Sequence, residues 1–217
     1  MNNSEIKICG LSTTQSIQSV IDGGANYIGF IFFEKSPRNI SLELASELSN
    51  YAGNKIKKVS VSVNASEAFL DEIVGALKPD FIQLHGSETP KDCQNIKDKY
   101  NIPIIKAFAI TGLEDLQKTE AYFECADKLL FDAKAPKGSN LPGGNGVSFD
   151  WNLLKEFKSP VPYMLSGGID ENNVIEALEI SGAKAVDISS GVESAPGVKD
   201  IAKITRLIKT IRETKAG

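Results

Sequence analysis

The chain has 217 residues, 41% of them hydrophobic and 24% charged, the profile of an ordinary globular domain able to bury a sizeable core. A formal net charge of −4 with no block of like charge speaks against nucleic acid as a partner, but leaves room for a phosphate held by backbone N–H groups. Three scattered cysteines and the single histidine, His85, argue against a disulfide framework or a zinc centre; with no leader-like N-terminus and no apolar run near the roughly 20 residues of a membrane span, a reduced, cytoplasmic protein without metal or membrane contact is expected.

Short β-rich runs alternate with longer amphipathic stretches. The first run is Ile6 to Cys9, followed by a helix from Ser12, where Ser12 and Gln15 form a capping-box pattern, ending near Gly23-Gly24. The second run, Tyr27 to Phe32, leads to a helix starting near Ser41 with Leu44, Ala45 and Leu48 on one face. Lys57 to Val63 is third, and Phe69, Leu70, Ile73, Val74 and Leu77 then recur at helical spacing. Phe81 to Leu84 precedes a helix expected at Thr89, with Pro90 at its first position, where a missing N–H costs nothing. Ile104 to Phe108 precedes a weaker helical pattern over Leu113 to Phe123. Lys128 to Asp132 opens onto the longest loop, Ala133 to Asp150, and a short helix over Trp151 to Phe157. Tyr163 to Ser166 precedes a helix from about Asn172 to Ile180. The run Ala185 to Ile188 precedes a last helix with Ile201, Ile204, Leu207, Ile208 and Ile211 on one face.

Eight strand–helix units in this length favour an α/β fold closed as a single (β/α)8 TIM barrel, one catalytic domain spanning residues 1–217. The competing architecture, an open doubly wound sheet, lacks its GxGxxG after the first strand. Barrel active sites form at the C-terminal ends of the strands. Cys9, Asn64, His85, Asp132, Ser166 and Ser189 all close or directly follow strand runs. The glycine turns Ser166-Gly167-Gly168 and Ser189-Ser190-Gly191 follow the last two strands, where barrels commonly bind phosphate. Glycine lets backbone N–H groups approach an anion closely. Cys9 and Asp132 form a candidate acid–base pair that needs no cofactor. Taken by type alone, Cys9 is equally a small buried hydrophobe, and the alternative for Asp132 is a structural carboxylate taking loop N–H bonds. Lys7 shares the inward face with Cys9, either stabilising a thiolate or, as favoured here, balancing charge in the barrel core. Cys93 and Cys125 read as packing residues.

Lys7-Ile8-Cys9-Gly10, Ser36-Pro37-Arg38, Ile82-Gln83-Leu84-His85-Gly86, Phe131-Asp132-Ala133-Lys134, Gly143-Gly144-Asn145-Gly146, Leu165-Ser166-Gly167-Gly168-Ile169 and Asp187-Ile188-Ser189-Ser190-Gly191-Val192-Glu193 together resemble the signature segments of the phosphoribosylanthranilate isomerase family. The likeness runs from Lys7 to Asp200, and its specificity lies in the order and spacing of the segments. It implies an Amadori rearrangement of N-(5-phosphoribosyl)anthranilate in tryptophan biosynthesis, with no cofactor. It also implies Asp132 as general acid, Cys9 as general base, and Arg38, His85 and Asp187 as substrate-binding residues. Gly144, Gly146, Gly167, Gly168, Ser189, Ser190 and Gly191 fall to the phosphate, and Gly143–Gly146 to a lid. The expected partner is a small phosphoribosyl substrate, and the expected assembly a monomer or homodimer. Asn145, Ser166 and Ser62 depart from the residues common in the family at their positions. A related phosphosugar isomerase with Asp at both catalytic positions, or a non-catalytic phosphosugar-binding protein, are the competing functions. Cys9 and the lack of an internal repeat disfavour the first, and the presence of both Cys9 and Asp132 disfavours the second.

Overall fold

The computed structural model describes residues 3–134, 143–144, 146 and 148–214. Eight parallel strands form a closed barrel in chain order. They are β1 (Glu5–Cys9), β2 (Tyr27–Phe32), β3 (Lys57–Ser62), β4 (Phe81–Leu84), β5 (Ile104–Ile110), β6 (Lys128–Ala133), β7 (Tyr163–Leu165) and β8 (Ala185–Ile188). Closure is made where Lys7 pairs with Asp187 and Ile8 with Ile188 across β1 and β8.

Strand side chains alternate between two faces, so each strand feeds two cores. The odd-numbered side of β1 points inward: Cys9 packs with Tyr27, Val59, Val61, Ile105, Ala107, Leu130, Met164 and Ala185 inside the barrel. Ile6 and Ile8 point outward with Ile28, Phe30, Leu129, Phe131 and Val186, against a shell of helices. The inner floor is tied by charge, with Tyr27 Oη donating to Glu5 Oε1 at 2.8 Å and Lys128 Nζ to Glu5 Oε2 at 2.8 Å.

The helices are α1 (Thr14–Asp22), α2 (Leu42–Ala52), α3 (Glu67–Leu77), α4 (Pro90–Tyr100), α5 (Leu113–Lys118), α6 (Val174–Ser181) and α7 (Ile201–Glu213). Ser41, Ser66 and Thr89 accept the first free N–H groups of α2, α3 and α4, and Thr89 with Asp92 completes a capping box. Thr13, not Ser12, caps α1, accepting from Ser16 N, so the expected Ser12–Gln15 pair is one residue out of register. The weak pattern after β5 is a short helix followed by a 3-10 turn, Thr119–Tyr122. The expected helix from Trp151 is a single 3-10 turn, Trp151–Leu154, and α6 begins at Val174 rather than near Asn172. After β8 the chain adds a small antiparallel pair, β9 (Glu193–Ala195) and β10 (Val198–Lys199), unforeseen from periodicity.

Candidate active site

Cys9 ends β1 with its side chain turned into the barrel mouth, opposite Gly29 on β2. A Cβ on Gly29 would lie 2.7 Å from Cys9 Sγ and 3.2 Å from Lys7 Nζ, so the missing side chain is the space that the thiol and the ammonium occupy. Lys7 is fully buried and donates to Asp187 Oδ1 at 2.9 Å, with the Cys9 thiol beside its ammonium. Charge balance and contact with the thiol are thus both its work. Burial opposes the charge on Lys7, but the carboxylate of Asp187 and the thiol of Cys9 outweigh it and hold its pKa above the ordinary lysine value. Burial pushes the Cys9 thiol up, and Lys7 and Lys199 only partly offset this.

Asp132, on the inward face of β6, is 4% exposed. Its Oδ1 accepts from Ala133 N at 2.9 Å, and its Oδ2 lies 3.5 Å from His85 Nε2. Two glycines crowd the carboxyl, since a Cβ on Gly143 would collide with Oδ2 and one on Gly167 would lie 2.9 Å from Oδ1. His85 follows β4, and its Nδ1 lies 2.9 Å from Gln83 Nε2 on the same face.

Arg38 reaches the same space from the loop after β2 and is held from behind. Its Nε donates to Glu193 Oε1 at 2.7 Å and its Nη2 to Glu193 Oε2 at 2.8 Å, a two-point pairing that fixes the plane of the guanidinium. Lys199 Nζ adds a 2.7 Å bond to Glu193 Oε1 and one of 2.9 Å to the Ser189 carbonyl. Burial works against the Glu193 carboxylate, yet Arg38 and Lys199 more than compensate and lower its pKa; burial also lowers that of Lys199. The β9–β10 pair is therefore the mount for Arg38. Its turn packs tightly under the preceding loop, since a Cβ on Gly197, at φ +83°, would strike the Pro37 carbonyl.

The turn after β7 passes through Gly167 and Gly168 at φ +89° and +63°, values that favour glycine. Asn173 braces it, donating Nδ2 to the Gly168 carbonyl at 2.8 Å and accepting from Asp170 N at 2.9 Å. After β8, Ser189 Oγ donates to the Cys9 carbonyl at 3.1 Å, linking the last strand end to the first.

One cavity at the mouth, about 680 Å3 counting its opening to solvent, is lined by Cys9, Arg38, His85, Asp132 and Asp187 together with Gly144, Gly167, Gly168, Ser189 and Ser190. Gly146 lies outside it, in a neighbouring depression with Ser190 and Glu193. Gly191 does not line it either: it packs so closely on the Ile169 carbonyl that a Cβ has no room. Asp187 faces the cavity already paired to Lys7. Of the anticipated lid, Gly143–Gly146, Asn145 lies outside the described residues, as do residues 135–142 before it. Ser166 lines the cavity, whereas Ser62 faces away from it, its Oγ buried without a partner among the described residues. Cys93 and Cys125 sit together in a separate apolar cluster with Ile82, Leu84 and Ile104, and burial pushes Cys93 up to about 12. Among the described residues no group of three or more His, Cys, Asp or Glu side chains gathers to hold a metal ion, and no helix is long and apolar enough to cross a membrane. Gln83, Glu193 and Lys199 are the members that sequence reasoning did not single out.

The family model described as N-(5'phosphoribosyl)anthranilate (PRA) isomerase matches residues 6–210. The chain is 51% identical over 212 residues to an N-(5'-phosphoribosyl)anthranilate isomerase of Rhizobium johnstonii, covering 98% of this chain and 96% of that protein. It is 50% identical over 213 residues to the protein of that name from Agrobacterium fabrum, covering 98% and 97%. Among solved structures, phosphoribosyl anthranilate isomerase from Thermotoga maritima superposes with a TM-score of 0.87 at 31% identity, covering 97% of this chain and 100% of that one. A phosphoribosyl anthranilate isomerase in complex with reduced 1-(o-carboxyphenylamino)-1-deoxyribulose 5-phosphate superposes at 0.82 and 30% identity, with the same coverage.

Proposed function

The chain belongs to the N-(5'-phosphoribosyl)anthranilate isomerase family and is an isomerase, and from that premise we propose that Asp132 and Cys9 perform the acid and base steps on N-(5-phosphoribosyl)anthranilate in tryptophan biosynthesis. Asp132 gives its proton to the ribose ring oxygen as the C1–O bond breaks, and the anthranilate nitrogen supplies the electron pair that makes the iminium. The Cys9 thiolate then removes the proton from C2. The electrons released form the C1–C2 double bond of an enolamine as the iminium electron pair returns to nitrogen; the enolamine takes a proton at C1, gives up the proton of its C2 hydroxyl and becomes the ketone. C2 is oxidised and C1 reduced within one molecule, so the balance needs no external electron carrier. The product is 1-(2-carboxyphenylamino)-1-deoxyribulose 5-phosphate.

The observation that carries the reading is that the thiol of β1 and the carboxyl of β6 line one cavity with a guanidinium and with the glycine turns after β7 and β8. Arg38 suits the planar anthranilate carboxylate, because Glu193 engages Nε and one edge of Nη2 and leaves Nη1 toward the cavity side at Gly144. The phosphate belongs at the other end, on the backbone of Gly167, Gly168, Ser189 and Ser190. Lys7 is the charge that makes a buried thiolate attainable.

Loss of substrate fluorescence on adding the protein measures turnover. Asp132→Asn and Cys9→Ala abolish it while leaving the fold and the binding of a reduced product analogue intact. That analogue also shields Cys9 from alkylation. Near-normal turnover in either variant, or inactivation by a reagent that modifies only Cys93 or Cys125, would overturn these assignments.

A further inference from the structure

Gln83, His85 and Asp132 form a line of side chains at the barrel mouth. Gln83 and His85 share the inward face at the end of β4, and Gln83 is 1% exposed. Its Nε2, which can only donate, lies 2.9 Å from His85 Nδ1, while its Oε1 is buried with no partner among the described residues. A donor on Nδ1 makes that nitrogen an acceptor, which leaves the ring proton on Nε2, and Nε2 faces Asp132 Oδ2 at 3.5 Å. The reversed amide would require the proton on Nδ1, leaving Nε2 unable to donate to the carboxylate that Asp132 becomes once its proton is given up.

We propose that Gln83 is a positioning residue for the isomerisation: it locks His85 in the Nε2–H tautomer, so that His85 donates to Asp132 Oδ2 as the carboxyl gives up its proton. At 3.5 Å the two atoms are in contact without a formed hydrogen bond; the bond closes as negative charge develops on Asp132, so it favours the transition state over the ground state. Ala133 N already holds Oδ1, and the two donors together receive the carboxylate that the acid step leaves behind. The inference rests on Asp132 as the acid of the proposed function.

His85 is the only histidine in the chain, so nitrogen-15 labelling of histidine gives a single imidazole to read. In the free wild-type protein near neutral pH, we expect a pyrrole-type shift at Nε2 and a pyridine-type shift at Nδ1. The opposite pattern overturns the proposal without any variant being made. Gln83→Leu should lose the preference and lower kcat about tenfold with KM little changed, the scale of one hydrogen bond to a charged group. Gln83→Glu, whose carboxylate accepts rather than donates, should impose the Nδ1–H form and lower kcat at least as far. Variants that keep the wild-type tautomer or wild-type kcat overturn the proposal. The acid reading is tested separately: normal turnover by Asp132→Asn sinks it whatever His85 shows, whereas a wrong tautomer refutes only the role of Gln83.

Discussion

Gly29→Ala puts the geometry of the thiol under direct test. The new methyl would sit 2.7 Å from Cys9 Sγ and 3.2 Å from the Cys9 Cα, against roughly 3.5–4.0 Å for a comfortable nonbonded contact. Lys7 Nζ, also 3.2 Å away, is the tip of a flexible side chain and yields readily; the cysteine is short and sits on a paired strand, so its sulfur must retreat by about 1 Å. A displacement of that size at a reacting group costs about 100-fold in rate, equivalent to about 2.7 kcal/mol of transition-state stabilisation. Overpacking the barrel interior adds about 1–3 kcal/mol of destabilisation. The measurement is kcat and KM from the fluorescence assay, alongside thermal unfolding and equilibrium binding of the product analogue. The expected result is a kcat about 100-fold lower, with binding within a few-fold of wild type and a folded protein at the assay temperature. A kcat within threefold of wild type would refute the idea that the bare face of Gly29 seats the base. Gly75→Ala is the matched control: it lies in α3 with nothing within 4 Å of the added carbon, and should stabilise the protein by about 0.5–1 kcal/mol without changing kcat.

Glu193→Gln should raise KM more than it lowers kcat, because Arg38 loses the partner that fixes its plane; an unchanged KM would detach Arg38 from binding. The same variant leaves Arg38 and Lys199 facing each other without their shared anion, and should cost about 3–5 kcal/mol in urea unfolding. Because Arg38 and Lys199 keep the Glu193 carboxyl below its unfolded value despite burial, its contribution is present above the unfolded carboxylate pKa of about 4.3 and disappears as pH falls through the lower folded value. Acid should therefore lower the unfolding temperature less steeply in Glu193→Gln than in wild type. For Cys9 the sign is the reverse: burial favours the neutral thiol, so the active thiolate accumulates only as pH climbs past the ordinary thiol value of about 8.5. The kcat/KM profile of the free enzyme should still be rising at that pH, and a plateau reached below neutrality would contradict a buried, uncharged Cys9.

What the sequence disclosed, and what it withheld, follows from the range over which each physical signal acts. Strand alternation and helix periodicity are local, and they place Cys9, His85 and Asp132 at the ends of β1, β4 and β6. Gln83 was within reach of the same rule, since residues two apart on a strand share a face; what alternation omits is which end of the amide meets the ring. Local signals also slip by a residue, as when Thr13 rather than Ser12 caps α1. Pro196-Gly197 forms the turn between β9 and β10, a dipeptide that favours turns, but strands of three and two residues leave no period to read. The ion pairs that make the site work span the chain: Lys7 to Asp187 covers 180 positions and Arg38 to Glu193 covers 155. Neither pairing has a trace in spacing, because each exists only once β8 has closed on β1 and the β9–β10 pair has folded back over the loop after β2. The same closure determines the chemistry. Lys7 beside a lone thiol would be a core cation wanting a partner; with Asp187 brought against it across the seam, it stays charged while buried, and a charged Lys7 is what opposes burial at Cys9. On the proposed role of Cys9, the reactivity of the first strand thus depends on the last, and loosening the β1–β8 seam should lower turnover before it unfolds the barrel.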